Sequence, residues 1–255
     1  MVLTDTHTHL YSESFDEDRT EMIQRALAKG IKRFFVPAID STYTDSMKAL
    51  KEAFPEQVHL MTGLHPTHVK EDYEEELSHV QKELESGEYI AVGEIGMDLY
   101  WDKSYVQQQA DAFLRQAAWA KEKDLPIIIH CRDAFDEIFE LLEGIPQKKF
   151  KGIFHCFTGN EAQAQSLIDW GFYLGIGGVV TFKNGKIDQF LSRLPIESIV
   201  LETDAPYLAP TPYRGKRNES AYLEEVARKV AGIYGKSLPE IAEVTTANSQ
   251  QLFGI

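Results

Sequence analysis

Apolar positions along the chain fall into short runs rich in β-branched and aromatic residues, separated by longer stretches with helical spacing. The runs 2–6, 32–37, 58–63, 90–95, 126–130, 152–155, 172–176 and 198–203 have the length and composition of strands. Between them, 19–29 places Met22, Ile23, Ala26 and Leu27 on one helical face, and 106–123 repeats Ala110, Phe113, Leu114, Ala117 and Ala120. The acidic stretch 71–88 predicts a solvated helix with Leu77, Val80 and Leu84 as its thin apolar stripe. Ser237-Leu238-Pro239-Glu240 is a capping box with proline in the first turn, which opens the last helix. Strands that alternate with helices at this period predict an α/β fold with a parallel sheet. Eight such units in 255 residues predict a TIM-type (β/α) barrel, regular or distorted. An open doubly wound sheet is the alternative topology. With no repeat, low-complexity linker or composition break, residues 1–255 read as one barrel domain.

A hydrophobic fraction of 43% and a charged fraction of 26% are those of a globular protein able to bury a sizeable core. The two cysteines, Cys131 and Cys156, each follow a histidine, which excludes a disulfide framework and a C-x-x-C zinc ribbon. A reducing, cytoplasmic setting is the expectation. No basic, apolar leader opens the chain, so no signal peptide is expected, and no apolar run approaches the ~20 residues of a membrane span. The formal net charge of −14 argues against tracking a long polyanion. Bound cations would reverse the local sign, and Tyr213-Arg214-Gly215-Lys216-Arg217-Asn218 is a basic island. Capture of a short end or a small substrate fits this balance.

The sharpest chemical signal is Asp5-Thr6-His7-Thr8-His9 at the end of the first run. Strand alternation points His7 and His9 the same way, where two imidazoles can share an ion. An H-x-H pair alone is weak. Glu94, His130, His155 and Asp204 each stand at the end of a further apolar run. In a parallel barrel those ends converge on one face. Such groups buried without partners are costly, and a divalent metal is their natural partner. Taken singly, each also reads as a hydrogen-bonded core histidine or a structural carboxylate; taken together, the six favour metal. With His130 and His155 facing inward, Cys131 and Cys156 should face the helix layer as small hydrophobes.

Along almost its whole length the sequence resembles the TatD family of metal-dependent hydrolases, within the wider amidohydrolase-like barrels. The resemblance rests on Asp5-Thr6-His7-Thr8-His9-Leu10, Gly63-Leu64-His65-Pro66, Gly93-Glu94-Ile95-Gly96-Met97-Asp98, and the helix with Gln109, Phe113 and Gln116. It continues through Leu125-Pro126, Ile129-His130-Cys131-Arg132-Asp133-Ala134, Phe154-His155-Cys156-Phe157-Thr158-Gly159 and Leu201-Glu202-Thr203-Asp204-Ala205-Pro206-Tyr207-Leu208. Arg214-Gly215-Lys216-Arg217-Asn218, Asn248 and Leu252-Phe253 complete it. Many relatives carry His-Pro-His after the third strand, whereas here Thr67 precedes His68. The resemblance implies a barrel, dependence on divalent metal, and nuclease or related phosphodiesterase activity.

Under that resemblance, His7, His9 and Asp204 are assigned to one metal and His130 and His155 to the other, with Glu94 bridging. Wider barrel relatives often bridge with a carboxylated lysine, so Glu94 favours the TatD reading over a dihydroorotase-like one. Two ions about 3.5–4 Å apart clamp a phosphate and activate water, with Asp204 orienting or deprotonating that water. Glu202 reads equally as a group tuning a ligand or as a buried carboxylate paired with a cation, and Asp98 as a group supporting a ligand. Substrate contacts are assigned to His65, Arg132, Tyr207 and Arg214, with Tyr100 and Trp101 able to stack on bases. The alternatives are an Arg132 ion pair with Asp133 or Asp136, a solvated loop at 214–217, and aromatic packing. Four imidazoles lean towards zinc, manganese or nickel, while the family resemblance implies magnesium; two divalent ions, Mg, Mn or Zn, are expected. DNA ends, short nucleic acid or a small phosphodiester are the expected partners, with no membrane and no protein partner deducible. The rivals are a binuclear hydrolase of an amide, lactone or ester, and a non-catalytic binding barrel.

Overall fold

The computed structural model describes residues 1–146 and 149–255. Strands β1 (Leu3–Asp5), β2 (Ile31–Val36) and β3 (Val58–Leu60) form one parallel sheet. A second parallel sheet holds β4 (Val92–Asp98), β5 (Ile127–Arg132), β6 (Gly152–Phe154), β7 (Phe172–Ile176) and β8 (Ile199–Leu201), in that order. Backbone hydrogen bonds close the two sheets on each other. At one seam Ile90 N–H donates to Leu60 O (3.0 Å) and Gly93 N–H to Thr62 O (2.8 Å). At the other, Thr6 N–H donates to Leu201 O (3.0 Å) and Asp204 N–H to His7 O (2.9 Å). The result is the expected barrel, distorted because regular pairing lapses at both seams.

Helices α1 (Arg19–Ala28), α2 (Thr44–Ala53), α3 (Tyr73–Glu85), α4 (Val106–Glu122), α5 (Phe135–Gly144) and α6 (Glu161–Trp170) follow the first six strands in turn. Helices α7 (Leu223–Tyr234) and α8 (Leu238–Phe253) follow β8. The acidic helix buries Leu77, Val80 and Leu84 as expected, and Ser237 and Glu240 form the reciprocal cap of α8. Between β7 and β8 the described chain makes only 3-10 turns; the first of them border the cleft through Val179, Lys186, Gln189 and Phe190, and the last leads into β8. None of the described helices is long and apolar enough to cross a membrane.

Alternation along the strands sorts the core into two layers. On β5, Ile127 and Ile129 pack outward against the helices, while Ile128 joins Phe35, Met61, Ala91, Ile153 and Val200 inside the barrel. Leu252 and Phe253, from the end of α8, plug the bottom of this inner core, with Phe253 stacked 4.0 Å from Phe35. Burying each such side chain contributes about 1.5–3 kcal/mol. The polar groups sit above this packed floor, past the ends of β1, β6 and β8, but Glu94 and His130, expected at strand ends, lie within β4 and β5, which run on to Asp98 and Arg132.

Glu94 does not follow from that alternation. Counting from the inward Ala91, strict alternation turns Val92 outward, Gly93 inward and Glu94 outward. The register slips instead: Val92 pairs with Ile127 but Ile95 with Ile129, three residues facing two. This bulge re-aims Glu94 into the barrel while Ile95 stays in the outer layer. At Gly96 (φ 144°), a Cβ would lie 2.0 Å from His130 O, so only glycine fits beside β5.

Candidate metal centre

The polar residues converge on Glu94, which is 2% exposed. One carboxylate oxygen, Oε2, lies 3.0 Å from His7 Nε2 and 3.6 Å from His9 Nε2. The other, Oε1, lies 2.8 Å from His130 Nδ1, 3.4 Å from His65 Nε2 and 3.6 Å from His155 Nε2. Asp204 closes the first group, its Oδ1 3.5 Å from His9 Nε2 and 3.8 Å from His7 Nε2. His155 stands between the groups: its ring stacks on His7 at 3.5 Å, and its Nε2 is 4.0 Å from Asp204 Oδ1. Donor atoms of His7, His9 and Glu94 lie within 4.8 Å of one another, as do those of His65, Glu94 and His130. The six residues assigned to metal thus meet in one nest, and His65, assigned to substrate, joins them.

Local geometry explains their convergence where strand parity does not. Regular β1 ends at Asp5 and β8 at Leu201, so His7, His9 and Asp204 sit on turns beyond the strands. Asp204 (φ 58°) and Cys156 (φ 44°) adopt the left-handed conformation that turns the chain sharply at the mouth. The expectation that both cysteines face the helix layer is corrected accordingly. Cys131, on β5, does pack against the outer core, but Cys156 lies past the end of β6, where alternation no longer holds. Both also border the cleft.

Partners on the far side of each ring decide which nitrogen carries a proton. Tyr11 Oη donates to Pro37 O (2.9 Å), so it must accept from His9 Nδ1 (2.9 Å). That leaves the His9 Nε2 lone pair aimed into the nest. His130 Nε2 faces Asp98 Oδ2 at 2.9 Å, which frees Nδ1 towards Glu94. His155 Nδ1 lies 2.9 Å from Glu202 Oε1, misaligned for a good hydrogen bond, and Cys156 N–H donates to the same oxygen (2.7 Å). His65 differs. Its Nδ1 accepts from Thr67 N–H (3.1 Å), so in a neutral ring Nε2 is the protonated nitrogen. An imidazole held this way donates a hydrogen bond rather than coordinating a cation.

Electrostatics agree with a site built for positive charge. Burial works to raise the Glu94 carboxyl, but His7, His65 and His155, with the His130 contact, hold it well below the usual range. Asp204 is likewise lowered against burial by the His9 contact and by His155 and His7. His155 is pushed up to about 10, since Glu202, Glu94 and Asp204 outweigh its burial. Burial depresses His65 to about 4, with Glu94 opposing and His130 reinforcing. Among the buried polar atoms, His7 Nδ1 and Glu202 Oε2 have no hydrogen-bond partner. Imidazole and carboxylate donors packed this closely fit divalent cations, which would replace the imidazole–carboxylate contacts as the source of positive charge.

The nest floors a cleft of about 1190 Å³, lined by Arg132, Trp101, Tyr207, Lys186 and Gln189 among others. Arg132 forms no ion pair with Asp133 or Asp136; its guanidinium lies 3.8 Å over the Tyr100 ring. Tyr207 is exposed, its ring 6.0 Å from that of His9. Arg214 is not brought to the cleft: it stacks 3.7 Å over Phe182 and donates to Ala209 O (3.0 Å). Arg217 is tied to Asp18 (2.7 Å), so the basic island is largely committed to the fold. Sequence reasoning missed Lys186, because it lies in an irregular stretch before a 3-10 turn, with no periodicity to read. It also missed Tyr11 and Thr67, for which the two-residue spacing from His9 and His65 was the available signal.

The family described as TatD related DNase matches residues 4–254. The metal-dependent hydrolase YabD of Bacillus subtilis, whose name marks it uncharacterized, is 40% identical over 100% of both chains. A protein of Erwinia tasmaniensis named 3'-5' ssDNA/RNA exonuclease TatD is 30% identical, over 98% of this chain and 99% of its own. The crystal structure of YjjV, a TatD homolog from Escherichia coli K12, superposes with a TM-score of 0.93 at 29% identity, covering 99% of this chain and 98% of that one. A phosphotriesterase homology protein of Escherichia coli and a lactonase of Listeria monocytogenes share the fold at 16% and 14% identity, with TM-scores of 0.75 and 0.67, covering 99% of this chain and 98% and 94% of theirs. Matched from end to end, the chain belongs to the TatD-related DNase family and is a metal-dependent hydrolase.

Proposed function

We propose that this chain hydrolyses phosphodiester bonds at the end of a single-stranded nucleic acid, using two divalent ions in a cytosolic setting. The observation that carries this reading is Glu94, whose two oxygens each face a separate group of imidazoles at the floor of an open cleft. His7, His9, Asp204 and Glu94 would hold one ion, and His130, His155 and Glu94 the other. When bound, the ions neutralise the phosphate and lower the pKa of an attacking water. Asp204, at the cleft edge of the nest, accepts the proton from that water. His65 donates its Nε2–H to a phosphate oxygen, where developing charge strengthens the bond. Arg132, unpaired with any carboxylate at the rim, offsets the repulsion that a chain of net charge −14 presents to a polyanion. The exonuclease name of the Erwinia relative supports the same substrate class.

The test strips the protein with chelator, restores magnesium, manganese or zinc, and follows end-labelled single-stranded DNA. Metal-dependent stepwise shortening, abolished in His7→Ala and Asp204→Ala, is the expected result. Absence of cleavage with every metal, while two ions bind tightly, would refute the phosphodiester substrate and favour a small amide, lactone or ester.

A further inference from the structure

Two large aromatic side chains project from the rim without a packing role. Trp101 is 69% exposed and Tyr100 52%, among the few large apolar side chains of the described residues that stand in solvent. The rings meet edge to face at 4.8 Å, and the Arg132 guanidinium lies 3.8 Å over Tyr100 and 5.4 Å from the Trp101 ring centre. Aromatic faces and a planar cation so grouped offer stacking surface rather than hydrogen-bond readout. Trp101 and Arg132 border the cleft above the nest.

A second observation ties this cluster to the nest. Asp98 Oδ1 accepts the backbone N–H groups of Tyr100 (3.0 Å) and Trp101 (3.2 Å). Its other oxygen, Oδ2, contacts His130 Nε2 at 2.9 Å. Asp98 is itself buried, and its backbone N–H is held by Gln109 Oε1 (2.9 Å). One rigid carboxylate therefore sets the position of the aromatic turn relative to the ring beside Glu94.

We infer that Tyr100, Trp101 and Arg132 form a stacking platform for an unpaired nucleobase of the substrate strand, held in register with the reacting phosphodiester through Asp98. This rests on the phosphodiesterase reading and adds to it the element that recognises bases. Every base has a π-face, so the platform selects for unpaired bases without selecting a sequence. A duplex keeps its bases stacked internally and cannot use it until an end frays.

The experiment compares a short oligothymidylate with an oligomer of the same length and backbone that lacks bases, in the metal-loaded wild type, Trp101→Ala and Trp101→Phe. The wild type should prefer the base-bearing oligomer by about ten- to a hundredfold in kcat/KM, the preference residing mainly in KM. Trp101→Ala should lose most of that preference and Trp101→Phe should keep it. If all three proteins cleave both oligomers with the same preference, the platform is refuted and the phosphodiesterase reading stands. Equal losses on both oligomers in Trp101→Ala would make the turn a structural support and would also overturn the platform. If the wild type cleaves neither oligomer with any metal, the phosphodiesterase reading itself fails.

Discussion

The contact between Glu202 and His155 can be broken from β7, by a methyl group that displaces Glu202 and also meets His155 Cα at 3.2 Å. Glu202 is fully buried and lies against β7, where a Cβ added to Gly175 would sit 2.2 Å from Glu202 Oε2 and 2.9 Å from its Cδ. Ordinary van der Waals contact begins near 3.4 Å, so Gly175→Ala must push the carboxylate about 1 Å or more away. Two contacts then weaken: the 2.7 Å bond from Cys156 N–H and the 2.9 Å approach to His155 Nδ1. Disturbing a group that orients a metal-bound histidine typically costs 10–100-fold in metal affinity or activity, or about 1.4–2.7 kcal/mol. Gly177→Ala is the matched control, because its added Cβ would meet Glu202 only at 3.5 Å. Manganese titration by calorimetry should show weakened binding in Gly175→Ala and near-normal binding in Gly177→Ala. Glu202→Gln should weaken binding too, and the double variant should fall short of additivity because both changes act through one contact. Unchanged metal binding in Gly175→Ala, with its Tm lowered or not, would refute the claim that Glu202 orients His155.

The other predictions concern the nest, the barrel floor and the closing helix. Glu94→Gln should lower kcat by at least about 10²–10³-fold and reduce the number of ions bound, read by turnover and by metal content after dialysis. Burial, with Lys51 and Arg33 nearby, depresses His59 to about 4 from the usual 6.5, and its Nε2 has no partner. Between those values the unfolded chain binds a proton that the folded one refuses, so stability is full above pH 6.5 and falls as pH drops towards 4. After allowance for solvent screening of a partly exposed ring the effect is about 1–2 kcal/mol, and His59→Phe should remove it in melts across that window. Asn248→Ala deletes hydrogen bonds to Ile196 O (2.9 Å) and Ile199 O (2.7 Å), both buried. A loss of about 2–3 kcal/mol follows, seen as a fall in Tm of about 4–12 °C.

The alternation of strand and helix was legible because parallel strands are buried on both faces and read as apolar runs. Where the strands stop was less so. The residues just past them, His7, Cys156 and Asp204, are held by turns whose conformation depends on partners far away in sequence, such as the bond from Asp204 N–H to His7 O. Glu94 shows the difference between naming a residue and placing it. Its place at the end of an apolar run marked it as a candidate, yet it lies third in β4, strict pleating points it at the helices, and only the register of β4 against β5 brings it inside. His65 was legible as a polar residue of the site, but the state of its ring depends on Thr67 N–H. Arg214 and Arg132 look alike as charges; one is spent on Phe182 and Ala209, the other stands at the cleft.

The donor set also straddles the two seams of the barrel. His7 and His9 follow β1 in the three-stranded sheet, while Glu94, His130, His155 and Asp204 extend from strands of the other. The first group is split by the closure: His7 and His9 lack the Glu94 and Asp204 carboxylates until the sheets meet, whereas His130, His155 and Glu94 all come from the five-stranded sheet. At these seams regular pairing is thinnest, with the isolated bridge of Thr62 and Val92 on one side and the turns after β1 and β8 on the other. Cations held in the nest would therefore join the sheets where the backbone holds them least, so that binding free energy also serves as barrel closure. The same arrangement explains why the chain tolerates so many close imidazoles and carboxylates at its centre. Their mutual contacts, His7 and His130 each with a different oxygen of Glu94 at 3.0 and 2.8 Å, tie residues of both sheets together at the mouth.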